Sequence, residues 1–476
     1  MGSLGSLRDV AGLCVLLALS CLTLRGADFA AVYNLKTYGA AGTGQTLDTA
    51  AIQKAIDAAA AHGGGLVYFP AGRFLSGTLV LRSNITLYLS PGAVLLGSKR
   101  IEDYKPKHLL YADNVSNVAI EGGGVIDGQG DSFLDKDLKP LPRPSPLIEI
   151  WNSRGIRIED VSIRMAPAWT IHPKNCDDVK IRGVSILNNL RGINTDGIDI
   201  DSSRNVMISD CHIEAGDDCI VLKTTNRIAA PATDGSPAGT PIVAGSTENV
   251  AVTNNVLVSA ASALKLGTES YGDFRHIVFS NCVIRDSRTG IALLAKDGGV
   301  MEDVRFENIL MTTQPKWARG VEWPIEVDID KRTVQSRLSH IRDIGFSDIT
   351  VYTKGRILVE GTEESPVENV TFRNVLLRIN GYENIDRVKN MSGASKTSST
   401  GMPDYGATPA AMIFAYVSGL RLEGITAVWP NQTNAPARSL VFGDHLEHGL
   451  LTGVQGAASA PNVPAIRIEN STDIRQ

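Results

Sequence analysis

Seven short units of alternating apolar residues recur through the chain: IRIEDVSI from Ile156, VKIRGVSI from Val179, VMISDCHI from Val206, VAVTNNVLV from Val250, IVFSNCVI from Ile277, VRFENILM from Val304 and VTFRNVLL from Val370. Each reads as a strand, a polar kink and a second strand. As far as Val304 the successive units start 23, 27, 44, 27 and 27 residues apart, and the 44 contains an insertion. A unit of this size cannot bury its own apolar face, so copies must stack and bury it against one another. Leucine-rich, ankyrin and propeller signatures are absent. The period-2 alternation, with Asn or Asp at the kink, predicts an all-β, single-domain parallel β-helix, a solenoid whose coils hydrogen-bond at a spacing of about 4.8 Å. Asn255, Asn281, Asn308 and Asn374 stand at the kinks and are expected to stack as a ladder of side-chain amides.

A solenoid needs closed ends. TAAIQKAIDAAAA, from Thr49 to Ala61, is helix-forming, follows a candidate cap at Asp48 or Thr49 and stops at Gly63-Gly64-Gly65, so it is the predicted N-terminal capping helix. The run from Gly65 to Gly97 supplies the first strands, with Gly and Pro at the turns. Pro/Gly/Ser-rich stretches from Asn226, from Ser392 and from Thr452 break the coil pattern and read as loops. The first of them follows directly on an acidic segment and is placed to wall a cleft.

Residues 1–27 read as a cleaved export signal: Arg8 precedes an apolar run from Val10 to Leu24 that is too short for a comfortable membrane span. No later segment reaches spanning length, so residues 28–476 are expected outside the cytoplasm, secreted to an extracellular or periplasmic space and away from the membrane. With 46 basic and 51 acidic residues and a net charge of −5, nothing suggests nucleic-acid binding. Cys176, Cys211, Cys219 and Cys282 remain after signal removal. Four thiols in so large a body, without CxxC pairs, point to packed interior residues rather than to a disulfide framework or a zinc site.

The chemistry gathers in NTDGIDIDSSRNVMISDCHIEAGDDC, from Asn194 to Cys219, which holds six aspartates. Asp196 and Asp217 are 21 residues apart, about one coil, so their backbones are expected one strand spacing apart. Strict alternation would aim Asp196 into the core and separate Asp217 from Asp218; Gly197 and Gly216 are expected to break it with a turn or bulge. Asp199, Asp201 and Asp210 read instead as a solvated coil face. A calcium loop fits poorly, because the sixth position from Asp199 is Arg204 where an EF-hand needs Gly. Carboxylates facing one cleft suit glycosidic hydrolysis, in which a protonated acid serves the leaving oxygen and an ionised base activates water. Their mutual repulsion raises one pKa, and no metal or other cofactor is required.

NTDGIDIDSS with GDDC one coil later, and the opening YNLKTYGAAGTGQTLDTAAIQKAIDAA with GGGLVYFPAGRF, resemble glycoside hydrolase family 28, the polygalacturonase family of right-handed parallel β-helices that cut pectin with inversion. The resemblance covers most of residues 33–380. It implies cleavage of α-glycosidic bonds in a pectic polysaccharide or oligosaccharide; a monomer is the expectation for the chain, though no residue pattern carries it. It also implies Asp217 as general acid, Asp196 and Asp218 as the pair that holds and deprotonates the attacking water, and Asn194 as the residue orienting them. Inversion implies an acid-to-base separation of roughly 6.5–9.5 Å.

Two further family motifs are missing. Ser262 stands where the histidine of a Gly-His-Gly would be, and Ala292 and Leu294 stand where an Arg-Ile-Lys would grip the uronic carboxylate. A carboxylate wants a charge-assisted partner, so Lys265, Lys296, Arg275 and Arg319 are candidate replacements. Alternatively the sugar held there is neutral or differently linked, as in a rhamnogalacturonan or another pectic side chain. Glu269, Trp317 and Trp323 are further cleft candidates, and His172, one coil before Asp196, is a candidate for cleft contact or for stabilising a turn. Two other classes stay open: a calcium-dependent β-helix lyase and a non-catalytic polysaccharide-binding β-helix.

Overall fold

The computed structural model describes residues 31–476 except 226, 229–240, 243–244, 318–319, 384–400, 402 and 432–434. The predicted export segment, most of the insertion from Asn226, part of the stretch from Ser392 and the candidate Arg319 lie outside the described residues.

Five of the seven sequence units become two strands joined by a sharp corner, while those from Val304 and Val370 each lie within one long strand, Val300–Thr313 and Val367–Ile379. VKIRGVSI forms Asp177–Arg182 and Ser185–Leu187, and a third strand, Ile198–Asp201, follows before the next unit begins at Arg204–Ser209. Three parallel sheets therefore run along the solenoid, one per face, and the coils wind with the right hand that twisted parallel strands impose on their crossovers. The face that carries the acids contains β1 (Ile171–Lys174), β2 (Ile198–Asp201), β3 (Ile220–Thr224), β4 (Ser262–Ser270), β5 (Thr289–Ala295) and β6 (Trp323–Ile329), each paired in parallel with the next.

Alternate residues of these strands point inward and meet their counterparts one coil away. Ile198 lies on Ile220, Ile220 on Leu264 and Leu264 on Ile291, all fully buried. On a second face Phe279, Phe306, Phe346 and Phe372 form a continuous stack with centroids 4.8, 5.2 and 4.6 Å apart, inside the range of aromatic attraction. All four predicted interior cysteines are buried and free. No helix among the described residues is long and apolar enough to cross a membrane.

The corners explain the Asn and Asp at the kinks. Asn281 and Asn308 have φ of 54° and 51°, the left-handed region that Asn tolerates better than most side-chain-bearing residues. Asn308 Nδ2 donates to Asn281 Oδ1 at 2.8 Å, and Asn374 donates likewise to Asp348 at 3.0 Å. Asn255 departs from the expected ladder. Its neighbour Asn254 takes the left-handed corner, with φ of 59°, while the Asn255 side chain turns inward and accepts from the Cys211 N–H at 2.9 Å. Asn308→Ala removes a ladder bond and leaves an alanine in left-handed backbone. Urea unfolding should show a loss of about 2 kcal/mol; a loss under about 0.5 kcal/mol would show that the ladder contributes nothing net.

Thr49–Ala61 is helical, and its inner face, Ile52, Ala55, Ile56 and Ala59, joins the core beside the first strands. Its N-cap differs from expectation. Asp48 occupies the position without a capping bond, because its carboxylate instead accepts the Ala41 and Gly42 N–H groups at 2.6 and 2.9 Å.

Candidate active site

Register decides which acids meet. Ile198 pairs with Ile220 and Ile220 with Leu264, so Asp196, Asp218 and Ser262, each two residues earlier, occupy one place on three successive coils. Asp218 rather than Asp217 is thus the coil-mate of Asp196, and Asp217 stands one residue off that column. One carboxylate oxygen from each of Asp196, Asp217 and Asp218 lies within 4.8 Å of the other two. This is closer than the roughly 6.5–9.5 Å expected between an acid and a base, because stacking on adjacent coils sets the approach near one strand spacing.

The two flanking glycines act differently from expectation. Neither has a positive φ. A Cβ on Gly197 would lie 2.4 Å from the Cys219 carbonyl oxygen, and one on Gly216 would lie 2.4 Å from that of Gly192. They are required by close backbone approach, not by a left-handed turn. The left-handed residue is Asn194, with φ of 55°, and its Nδ2 reaches Asp217 Oδ2 at 3.3 Å.

The carboxylates are driven apart in proton affinity. Asp218 Oδ2 accepts from Lys265 Nζ at 2.7 Å, and its Oδ1 accepts from the Ser262 N–H at 3.0 Å. Burial alone would raise Asp218, but Lys265 and these bonds hold it below the usual carboxylate range. Asp217 moves the other way: burial, then the charge of Asp218, pushes it up to about 6. Asp196 is 2 % exposed, and burial, then the Asp199 charge, pushes it well above the ordinary range against the pull of Lys223. These three are also the one group of His, Cys, Asp or Glu side chains among the described residues close enough to hold a cation together. Lys265 already supplies positive charge there.

Asp199 and Asp201 do not form a solvated face, as the alternation suggested; only Asp210 is exposed. They point away from the core yet are roofed by neighbours. Lys223 on β3 lies 3.0 Å from Asp199, 4.0 Å from Asp196 and 3.7 Å from Glu269, beneath the Trp169 ring at 3.8 Å. Asp201 meets Lys174 at 3.1 Å and His172 Nε2 at 3.4 Å, while His172 Nδ1 meets Glu149 at 2.8 Å. His172 has no exposed surface, so it neither touches the cleft nor sits at a turn; it lies within β1 as a buried link between two carboxylates. Burial would lower it, but Glu149 and Asp201 raise it to about 9. Lys174, Asp201 and Lys223 are in register, a column of alternating sign. Sequence reasoning missed Lys223, Lys174 and Glu149; the available signal was a lone charged residue in each of the otherwise apolar runs CIVLKTT, IHPK and IEIW.

Asp217 stands between two cavities. The first, of about 460 Å³, is lined by Asp218, Ser262, Lys265, Arg288, Lys296 and Arg332 among others, with Trp323 in its wall. The second, of about 710 Å³, is lined by Leu138, Arg191, Ile193 and Trp317 among others. The structure thus brings Ser262, Lys265, Lys296, Trp317 and Trp323 to the cleft. Lys296 is tied to Asp330 at 2.9 Å. Glu269 lies behind the lining, 3.7 Å from Lys223 and 3.9 Å from Arg332. Arg275 lies away from it, 2.9 Å from Glu302. Ala292 is buried and Leu294 lines the first cavity; one coil on, in register with them, come Glu326 and Asp328. Sequence reasoning also missed Arg288 and Arg332, which stand outside the periodic units.

A right-handed parallel β-helix with carboxylates of split proton affinity in a lateral cleft is equipped for glycosidic chemistry. The profile of Glycosyl hydrolases family 28 matches residues 66–400, and the chain belongs to that family of glycoside hydrolases. Similar proteins include a probable polygalacturonase of Vitis vinifera, 29 % identical over 409 residues, which covers 78 % of this chain and 81 % of that protein. An endo-polygalacturonase of Pectobacterium carotovorum subsp. carotovorum is 26 % identical over 363 residues, covering 69 % and 84 %. Among solved structures, an exopolygalacturonase from Thermotoga maritima superposes with a TM-score of 0.64 at 22 % identity, covering 83 % of this chain and 91 % of that one, and shares the fold.

Proposed function

We propose that the chain is an exported hydrolase that cleaves α-glycosidic bonds of pectic polysaccharide with inversion, using Asp217 as acid and Asp196 with Asp218 as the pair that holds the attacking water. The observation that carries this reading is the split within one cluster: Asp217 pushed up to about 6 beside an Asp218 held ionised by Lys265. Asp217 gives its proton to the glycosidic oxygen as the bond to the anomeric carbon breaks. Water held between Asp196 and Asp218 then attacks that carbon, and this pair of carboxylates takes the water's proton. Asn194 orients Asp217 from 3.3 Å.

The short separation within the cluster would by itself suit a carboxylate nucleophile and retention. Against that, both Asp218 oxygens are already engaged by Lys265 and Ser262, and Asp196 is 2 % exposed. A carboxylate so held orients water better than it attacks carbon. The pectic substrate rests on the relatives, which are polygalacturonases, and on the cations of the first cavity, which can meet a uronate where Ala292 and Leu294 cannot. Export rests on the apolar run from Val10 to Leu24. A second reading, hydrolysis of rhamnogalacturonan or another pectic side chain, is favoured by the acids Glu326 and Asp328 standing one coil beyond those two apolar residues.

The test is product analysis on homogalacturonan and on rhamnogalacturonan across the acidic and neutral range. New reducing ends are expected, with no unsaturated product absorbing in the near ultraviolet and no effect of a chelator. Because Asp217 must hold its proton, kcat/KM should fall about tenfold per pH unit once the pH rises past about 6. Release from neither substrate would sink the pectinase reading, and an ultraviolet-absorbing product would make the chain a lyase.

A further inference from the structure

The sheet that carries the reacting acids also carries a column of buried charge on its outer side. Glu149 pairs in register with His172. Ile171 pairs with Ile198 and Lys174 with Asp201, so His172 in turn lies on Asp199. Val221 and Lys265 continue the column, and Lys265 holds Asp218. Glu149, His172 and Asp199 are buried and line neither cavity.

The His172 ring must carry both protons. Nδ1 lies 2.8 Å from Glu149 and Nε2 lies 3.4 Å from Asp201. A neutral imidazole donates from one nitrogen and presents a lone pair at the other, so either neutral tautomer would press a lone pair on a buried carboxylate. The imidazolium suits both sides, and a pKa raised to about 9 agrees with that geometry. The other groups around the ring are accounted for. Asp199 faces it from the coil after, beside Asp201, and Lys174 follows on its own strand. The Trp169 ring meets it edge-on at 5.2 Å and covers Lys223 at 3.8 Å. Tyr111, beyond Glu149 in register, and Cys176 stay uncharged, since burial raises both.

We infer that His172 is a positioning residue for hydrolysis: its buried positive charge, seated between Glu149 and Asp201 and stacked on Asp199, sets through Asp199 and Lys223 the pH at which Asp196 can take the water's proton. This role rests on the hydrolase reading above and adds to it a residue that touches neither substrate nor the reacting acids. The path is short. Lys223 spans Asp199 and Asp196 at 3.0 and 4.0 Å. Burial raises Asp199, while Lys223 and then His172 pull it down. Burial and then the Asp199 charge raise Asp196 in turn.

The test is a pair of charge changes with opposite signs. His172→Gln removes a positive charge, which favours the protonated form throughout a coupled group of carboxylates. The pH optimum of kcat/KM should then move up by about half a pH unit. Glu149→Gln removes a negative charge and keeps an oxygen that can accept from Nδ1, so the optimum should move down by a similar amount. A merely structural role would slow both variants without moving their optima in opposite directions. If His172→Gln does not fold, Glu149→Gln decides alone, since it leaves the ring seated. Carbon-13 titration of the aspartate carboxyl groups reads the same displacements without turnover. A wild type that cleaves no pectic substrate therefore sinks the hydrolase reading, while the titration still tests His172. Titrations and optima unmoved in Glu149→Gln, or moved in one direction by both substitutions, overturn the inference.

Discussion

Asp217→Asn should lower kcat/KM by about two to four orders of magnitude, the usual contribution of a general acid, without weakening the fold. The amide matches the carboxyl in size and can still accept the bond from Asn194 Nδ2, now at 3.3 Å. It cannot deliver a proton to a leaving oxygen. Stability should hold or rise slightly, because burial and Asp218 both work against a charge at this position. The loss should also depend on the leaving group. A substrate with an acidic aglycone such as a nitrophenol needs little protonation, so the variant should recover much of its rate on it. Steady-state kinetics on both kinds of substrate, with a thermal melt of the variant, make the check. A variant that keeps more than about a tenth of wild-type kcat/KM on polysaccharide would remove Asp217 from the role of acid.

Lys223→Met is expected to damage both fold and activity. Lys223 is the buried cation nearest to Asp199 and Asp196, at 3.0 and 4.0 Å, and methionine keeps most of its volume. Removing one partner of a buried ion group leaves an uncompensated charge and costs about 3–5 kcal/mol. The dependence on pH follows from the directions of the shifts. Asp196 and Asp199 are already raised in the folded chain by burial, against the pull of Lys223. Without Lys223 both rise further. A group whose folded pKa is raised above its unfolded value weakens the fold when ionised, and that penalty fades as the pH falls through the folded pKa. The variant should therefore be least stable at neutral and alkaline pH and approach the wild type in acid. Urea unfolding at several pH values tests this. A loss under about 1 kcal/mol at neutral pH, or one that grows in acid, would show that Lys223 does not hold these carboxylates.

The coils were legible because their signal is local. VKIRGVSI and its copies carry the alternation that buries one side of a strand, and the Asn at Asn281 and Asn308 marks a corner that few other residues adopt. Asp196, Asp217 and Asp218 were legible for the same reason: they lie close in sequence and about one coil apart. What stayed hidden depends on register between coils. Asp201 reads as solvent-facing until Lys174 and Lys223 are found above and below it. His172 reads as a cleft contact or a turn-stabilising residue until Glu149 and Asp201 close over both ring nitrogens. The spacings that set these pairings are unequal, 27 residues from Ile171 to Ile198, 22 to Ile220 and 44 to Leu264, so no single period locates the partners. The glycines were misread for a related reason, since the atoms that forbid a Cβ on Gly216 belong to Gly192 and Asn189, more than twenty residues earlier.

Arg191 and Trp317 reach the same cavity from turns that are far apart along the chain, while the acids rest on β2 and β3. The carboxylate cluster and this wall of the cavity are therefore carried by separate parts of the chain. A turn can lengthen, shorten or change composition without disturbing the hydrogen-bonded coils beneath it, so the cavity wall can change one turn at a time around an unaltered cluster of carboxylates.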